Sequence, residues 1–127
     1  MQNRKALSLL IEWLKFIDYI DQDILKWVKL SAVYSKENYR SDVLIDHLTL
    51  HVKKTPKEVG EIMLEMLSAD IYCDYQEEEI RQIVSSLYNE NQGGIADKIC
   101  VLYGEKGFEF LRDIYSENHK IGNFLNK

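Results

Sequence analysis

Three histidines and four arginines are the residues of this 127-residue chain with most scope for chemistry. His47 and His51 stand four residues apart, with Asp46 beside the first. On a helix that spacing sets two imidazoles on one face, where both can ligate one metal ion. A closed site needs a third ligand, and the only other histidine is His119. No glutamate follows His47, as the His-Glu-x-x-His helix of a zinc hydrolase requires. The pair is therefore expected to sit on a helix flank, with no metal and no cofactor in its role.

A second constellation joins arginine to histidine. Six residues separate Arg40 from His47, and six separate Arg112 from His119, with Asp113 directly after the second arginine. An arginine can hold a phosphate while a histidine moves a proton. The spacing resembles that of HEPN ribonucleases, which are small and all-helical. Four arginines and three histidines readily produce such a pair by chance, and the acidic surroundings of Arg112 repel RNA. A ribonuclease using Arg112 and His119, or Arg40 and His47, is thus the alternative reading and not the leading one.

Charge points the same way. The chain carries a net −5 with a pI near 5.2. Residues 1–57 are net +3 and residues 58–127 net −8. An acidic C-terminal half argues against nucleic acid as a partner and favours a basic protein surface, or simply solubility. Cys73 and Cys100 are far apart and form no Cys-x-x-Cys pair, which fits reduced thiols in the cytoplasm. Arg4 and Lys5 precede an apolar run, but Glu12 and Lys15 interrupt it before it could serve as a signal peptide or span a bilayer. No membrane is expected.

The elements that must position these groups are helices. Leu7, Leu10, Ile11, Leu14 and Ile17 recur at helical spacing, and Ile24, Leu25 and Val28 mark a second face that Asp18 or Asp21 can cap. Leu44, Ile45, Leu48 and Val52 define a third helix, opened by Ser41. Thr55-Pro56-Lys57-Glu58 reads as a capping box for a fourth, with Ile62 and Met66 inward. Asp74 and Glu77 read as another box, before a fifth helix that buries Ile83 and Leu87 and stops at Gly93-Gly94. A sixth carries Ile99 and ends at Gly104, and a seventh opens at Gly107 and buries Leu111. Residues 1–118 are expected to form a single all-helical domain, with 119–127 a frayed tail.

Helix starts recur at the period of helix-pair arrays. The expected fold is all-α, about seven helices in stacked hairpins, an α-solenoid fragment of the HEAT or TPR kind. An irregular helical bundle is the other arrangement the pattern allows.

The stretch from Glu79 to Tyr115 contains Ile95-Ala96-Asp97-Lys98-Ile99-Cys100, Gly104-Glu105-Lys106-Gly107-Phe108 and Phe110-Leu111-Arg112-Asp113. With Thr55-Pro56-Lys57-Glu58-Val59 and the aromatics around Tyr72 and Tyr75, it resembles the C-terminal helical tail of large bacterial proteins linked to anti-phage defence. The likeness covers about residues 40–118. It implies a HEAT-like module that lends shape or contacts to an effector, and it carries over no catalytic residue.

Candidate binding residues follow from surplus apolar surface. Trp13, Phe16, Trp27 and Leu30 lie off the stripes that would pack the first two helices, and a terminal hairpin has one neighbour fewer than a middle one. They are expected to anchor a protein partner or a second copy through the N-terminal helical pair. Glu58, Glu61 and Glu65 form an acidic stripe that could rim the contact. The expected function is non-catalytic protein interaction or scaffolding.

Overall fold

The apolar spacing becomes helix with few changes. The computed structural model describes residues 10–35 and 41–125. Residues 10–13 are helical and tighten into a 3-10 turn at Leu14–Phe16; together they are α1. Then come α2 (Gln22–Ser35), α3 (Ser41–His51), α4 (Pro56–Ser68), α5 (Glu77–Asn89), α6 (Gly93–Glu105) and α7 (Arg112–Leu125). Among the described residues there is no strand. Helix α7 runs past Asn118 to Leu125, where the sequence alone suggests a frayed end.

Contacts alternate along the chain. α2 lies on α4 and α4 on α6, while α1 lies on α3, α3 on α5 and α5 on α7. Odd and even helices thus form two layers. Short turns join α3 to α4 and α5 to α6, so the chain stacks as hairpins with a last helix at one end. The core fills the space between the layers. Leu44, Leu48, Ile62, Met66, Ile83, Leu87, Ile99 and Leu111 are all buried there. The even layer is close-packed at Gly60, where an added Cβ would lie 2.6 Å from Ile95 Cγ2.

Helix ends depart from the sequence reading more than helix faces do. Asp21 does cap α2, its carboxylate accepting from the Ile24 N–H at 2.9 Å. Thr55 precedes α4 with Pro56 at the first helical position, but no side-chain cap bond forms. Its hydroxyl instead donates back to the His51 carbonyl at 3.3 Å and closes α3. At α5 the cap residue is Gln76 and not Asp74. The Gln76 amide reaches across to α3, donating to the Asp42 carbonyl at 3.2 Å and the Asp46 carboxylate at 3.1 Å.

The C-termini share one backbone device. After α4, α5 and α6 the Ile71, Gln92 and Phe108 N–H groups donate to Met66, Leu87 and Tyr103 carbonyls at 2.9, 2.8 and 3.0 Å. This six-to-one bond needs a left-handed residue just before the donor. Asp70 (φ 65°), Asn91 (φ 65°) and Gly107 (φ 91°) supply it. So Asn91 ends α5 while Gly93 and Gly94 begin α6, and Gly104 stays inside α6. α7 starts at Arg112, not at Gly107.

Two clusters fix the C-terminal end. Tyr72, Tyr103, Phe108 and Phe110 meet mostly edge to face, with ring centroids 5.2–6.3 Å apart, and the Tyr103 hydroxyl donates to the Tyr72 carbonyl at 2.5 Å. Arg81 on α5 grips Asp113 on α7 with two bonds, 2.7 and 2.8 Å, and also donates to the Phe110 carbonyl. The Arg81 guanidinium holds the Asp113 carboxyl down at about 2.

Candidate interaction surface

The chain gives its two spaced histidines a structural task. A backbone carbonyl can only accept, so the ring nitrogens facing one must be donors. His47 Nδ1–H donates to the Ile11 carbonyl at 2.7 Å, and His51 Nε2–H to the Leu14 carbonyl at 2.8 Å. Those carbonyls belong to the end of α1, where local donors run short; the Leu14 carbonyl also accepts from the Ile17 N–H at 3.2 Å. The four-residue spacing on α3 thus matches two acceptors on α1 rather than two bonds to a metal. Both histidines are buried, not on a helix flank. Asp46 beside them is exposed and turns to Gln76.

So held, α1 buries Ile11 and Leu14 and turns Trp13 and Phe16 outward, 61% and 73% exposed. Tyr19, in the following turn, is 60% exposed. On α2 the buried face is Leu25, Val28 and Ala32, directed at the rest of the stack. At about 100° per residue, Leu30 falls opposite the middle of that face, with Trp27 and Val33 on either side. All three are exposed, by 50%, 43% and 42% in the order Trp27, Leu30, Val33. Elsewhere among the described residues the exposed large apolar side chains are Leu50 on α3, Tyr75 in the connection before α5 and Val101 on α6, far apart in the chain.

Trp13, Phe16, Trp27 and Leu30 were legible as surplus. Tyr19 and Val33 were not, although Val33 lies three residues beyond Leu30 and so continues its strip on α2; Tyr19 lies in the turn after α1, where helical spacing says nothing. Glu58, Glu61 and Glu65 are half-buried on α4, alongside α2. Glu61 pairs with Lys29 at 3.3 Å. Glu65 joins Lys26, Leu30 and Val33 around an open groove of about 370 Å³ between α2 and α4. Lys26 also lies 5.9 Å over the Trp27 ring.

The other constellation sits at the far end. Arg40 lies outside the described residues, and its counterpart His47 is committed to α1. Arg112 and His119 are two helical turns apart on α7, each with its own carboxylate: Arg112 with Glu109 at 3.3 Å, His119 with Asp97 at 2.8 Å. The Tyr88 hydroxyl donates to the same Asp97 oxygen at 2.6 Å, and the Tyr115 ring stacks on His119 at 4.1 Å. Burial, with Asp97 adding, drives the Tyr88 phenol well above its ordinary range. Beside this network Cys100, Leu111 and Tyr115 help line a notch of about 280 Å³. Burial pushes the Cys100 and Cys73 thiols to about 11, so at neutral pH both are protonated and poor nucleophiles.

Among the described residues no group of three or more His, Cys, Asp or Glu side chains is placed to hold a metal. No helix there is long and apolar enough to cross a membrane. No family model, characterised protein or solved structure matches the chain.

Proposed function

We propose that this domain is a non-catalytic protein-interaction module whose binding surface is the outer face of the α1–α2 hairpin. The observation that carries the reading is the concentration of Trp13, Phe16, Tyr19, Trp27, Leu30 and Val33 in solvent on that hairpin. An end hairpin in a stack needs a polar outer face to stand alone in water. This one presents aromatic anchors instead, with Lys26, Lys29, Glu61 and Glu65 at the rim. An apolar centre with charged edges is the usual anatomy of a binding face. The free buried thiols favour a reducing, cytoplasmic setting. The sequence resemblance favours a HEAT-like module attached to, or serving, a bacterial defence effector.

A photo-crosslinking phenylalanine analogue at position 27 tests the surface in living cells. Discrete adducts from position 27, absent from the same probe at position 101, are expected. Equal adducts from both, or none from either, would refute it. The ribonuclease alternative has one observation in its favour, the Asp97 carboxylate that orients His119. RNA cleavage by the purified protein that disappears in His119→Ala would replace the interaction reading.

A further inference from the structure

We infer that the occupant of the α1–α2 face is a second copy of this chain, joined hairpin to hairpin about a two-fold axis. The inference rests on the interaction reading above and names its partner.

Three features argue for a second copy. The first is area. Four aromatic side chains at half exposure or more, with Leu30 and Val33, present roughly 600 Å² of apolar surface. Two such faces in contact remove roughly 1,200 Å², the lower bound of a specific, stable interface. That area is at the upper end of the largest apolar patch on a typical monomer, roughly 300–600 Å², and such patches are often functional.

The second is charge. Residues 10–35 carry four carboxylates against three lysines, while residues 41–119 carry sixteen carboxylates against seven lysines and arginines. Two copies therefore repel where their α5–α7 surfaces meet, with nine carboxylates against four lysines and arginines over residues 77–119, and come close to neutral at α1–α2. A self-matching face must also hold both signs. Lys26 and Glu65, on opposite walls of the groove beside Leu30, provide them. A two-fold axis through the groove sets the lysine of each copy toward the glutamate of the other.

The third is continuity of the stack. Hairpin α3–α4 is already covered on one side by α1–α2, through α1 on α3 and α2 on α4. Leu30 points directly away from that contact, so the exposed strip is where another helical pair would add to the pile. The chain's own α1–α2 hairpin is such a pair, and its outer face is as apolar as the face it would cover.

Sedimentation equilibrium of the full chain tests this, across a concentration series from about 1 to 200 µM. The expected result is a reversible monomer–dimer equilibrium. Leu30→Glu, which buries a carboxylate at the centre of the contact, is expected to raise the dissociation constant at least about a hundredfold. Val101→Glu, an equal change on α6, is expected to leave it unaltered. Leu30 is exposed in the monomer, so an unchanged circular dichroism melt at low concentration shows that the variant folds. A wild-type chain monomeric across the series overturns the inference, as does a Leu30→Glu variant that dimerises as tightly. If the chain is monomeric but position 27 crosslinks a different protein, the second copy is excluded and the interaction reading stands. If it is monomeric and no adduct forms, both fall.

Discussion

At one end of the stack α1–α2 turns Trp13, Phe16, Trp27 and Leu30 to solvent; at the other α7 turns out Arg112, Asp113, Ser116 and Glu117. The means of attachment differ as much as the surfaces. The α1 end is held by two imidazole donors, His47 and His51, meeting backbone carbonyls inside the protein. The α7 end is held by a charged pair, Arg81 and Asp113, near the surface. Helical stacking does not dictate what a terminal helix shows to water. One end here is finished with charge, and the other is left apolar with its polar work done underneath.

The comparison can be pressed by mutation. The largest effect is expected at the middle, which both ends share. Ile83→Ala removes a fully buried side chain between the layers and should cost about 2–5 kcal/mol in chemical denaturation. A midpoint unchanged from wild type would mean α5 packs by another face. Next comes His51→Ala, which removes one of the two bonds to the Leu14 carbonyl, leaving it the Ile17 N–H, and should cost about 0.5–1.5 kcal/mol. Its signature should be local. Amide exchange across residues 10–20 should speed up while α5–α7 keep their protection, and uniform loss of protection would show that the two ends are not separable.

Asp113→Asn should cost less, below about 1 kcal/mol at neutral pH, because the pair is largely exposed. Its pH dependence has a definite sign. The carboxyl lies at about 2 in the folded chain against an ordinary 3.8, so Arg81 stabilises the fold above the ordinary value. That contribution fades as pH falls through about 2, and the gap between wild type and variant should close there. A gap of constant size from pH 7 to pH 2 would show that charge is not what closes this end. Smallest of all, Leu30→Ala should move the melting temperature of the dilute monomer by an amount equivalent to about 0.5 kcal/mol or less. A larger loss would mean Leu30 is packed and the face is not open.

What could be read from the sequence divides by range. Faces were legible, because apolar residues three and four apart report which side of a helix is covered. Leu44, Ile45, Leu48 and Val52 are all buried as their spacing implies. The surplus at Trp13, Phe16, Trp27 and Leu30 was legible for the same reason: one short hairpin had more apolar positions than it could cover. Helix ends were less legible because several residues compete for each. Thr55 can open α4 or close α3 and does the latter; Gly104 and Gly107 can both adopt positive φ, and only the second does. The use of His47 and His51 was not legible at all. Their acceptors are 36 and 37 residues away in the chain, and only the stacking of α1 on α3 brings them together.

Both tryptophans of the protein, Trp13 and Trp27, lie on the one uncovered hairpin, and neither is buried. The optical properties of the folded chain are therefore those of a single end. Indole emission should already be red-shifted in the native state, close to that of an indole in water. Unfolding α3–α7 should change it little, so tyrosine absorbance or helical ellipticity must report on that part. The same signal becomes sensitive where other probes are silent. Anything that settles on α1–α2 transfers both indoles into an apolar environment and shifts their emission to the blue, so the protein carries its own dye for the occupancy of this face.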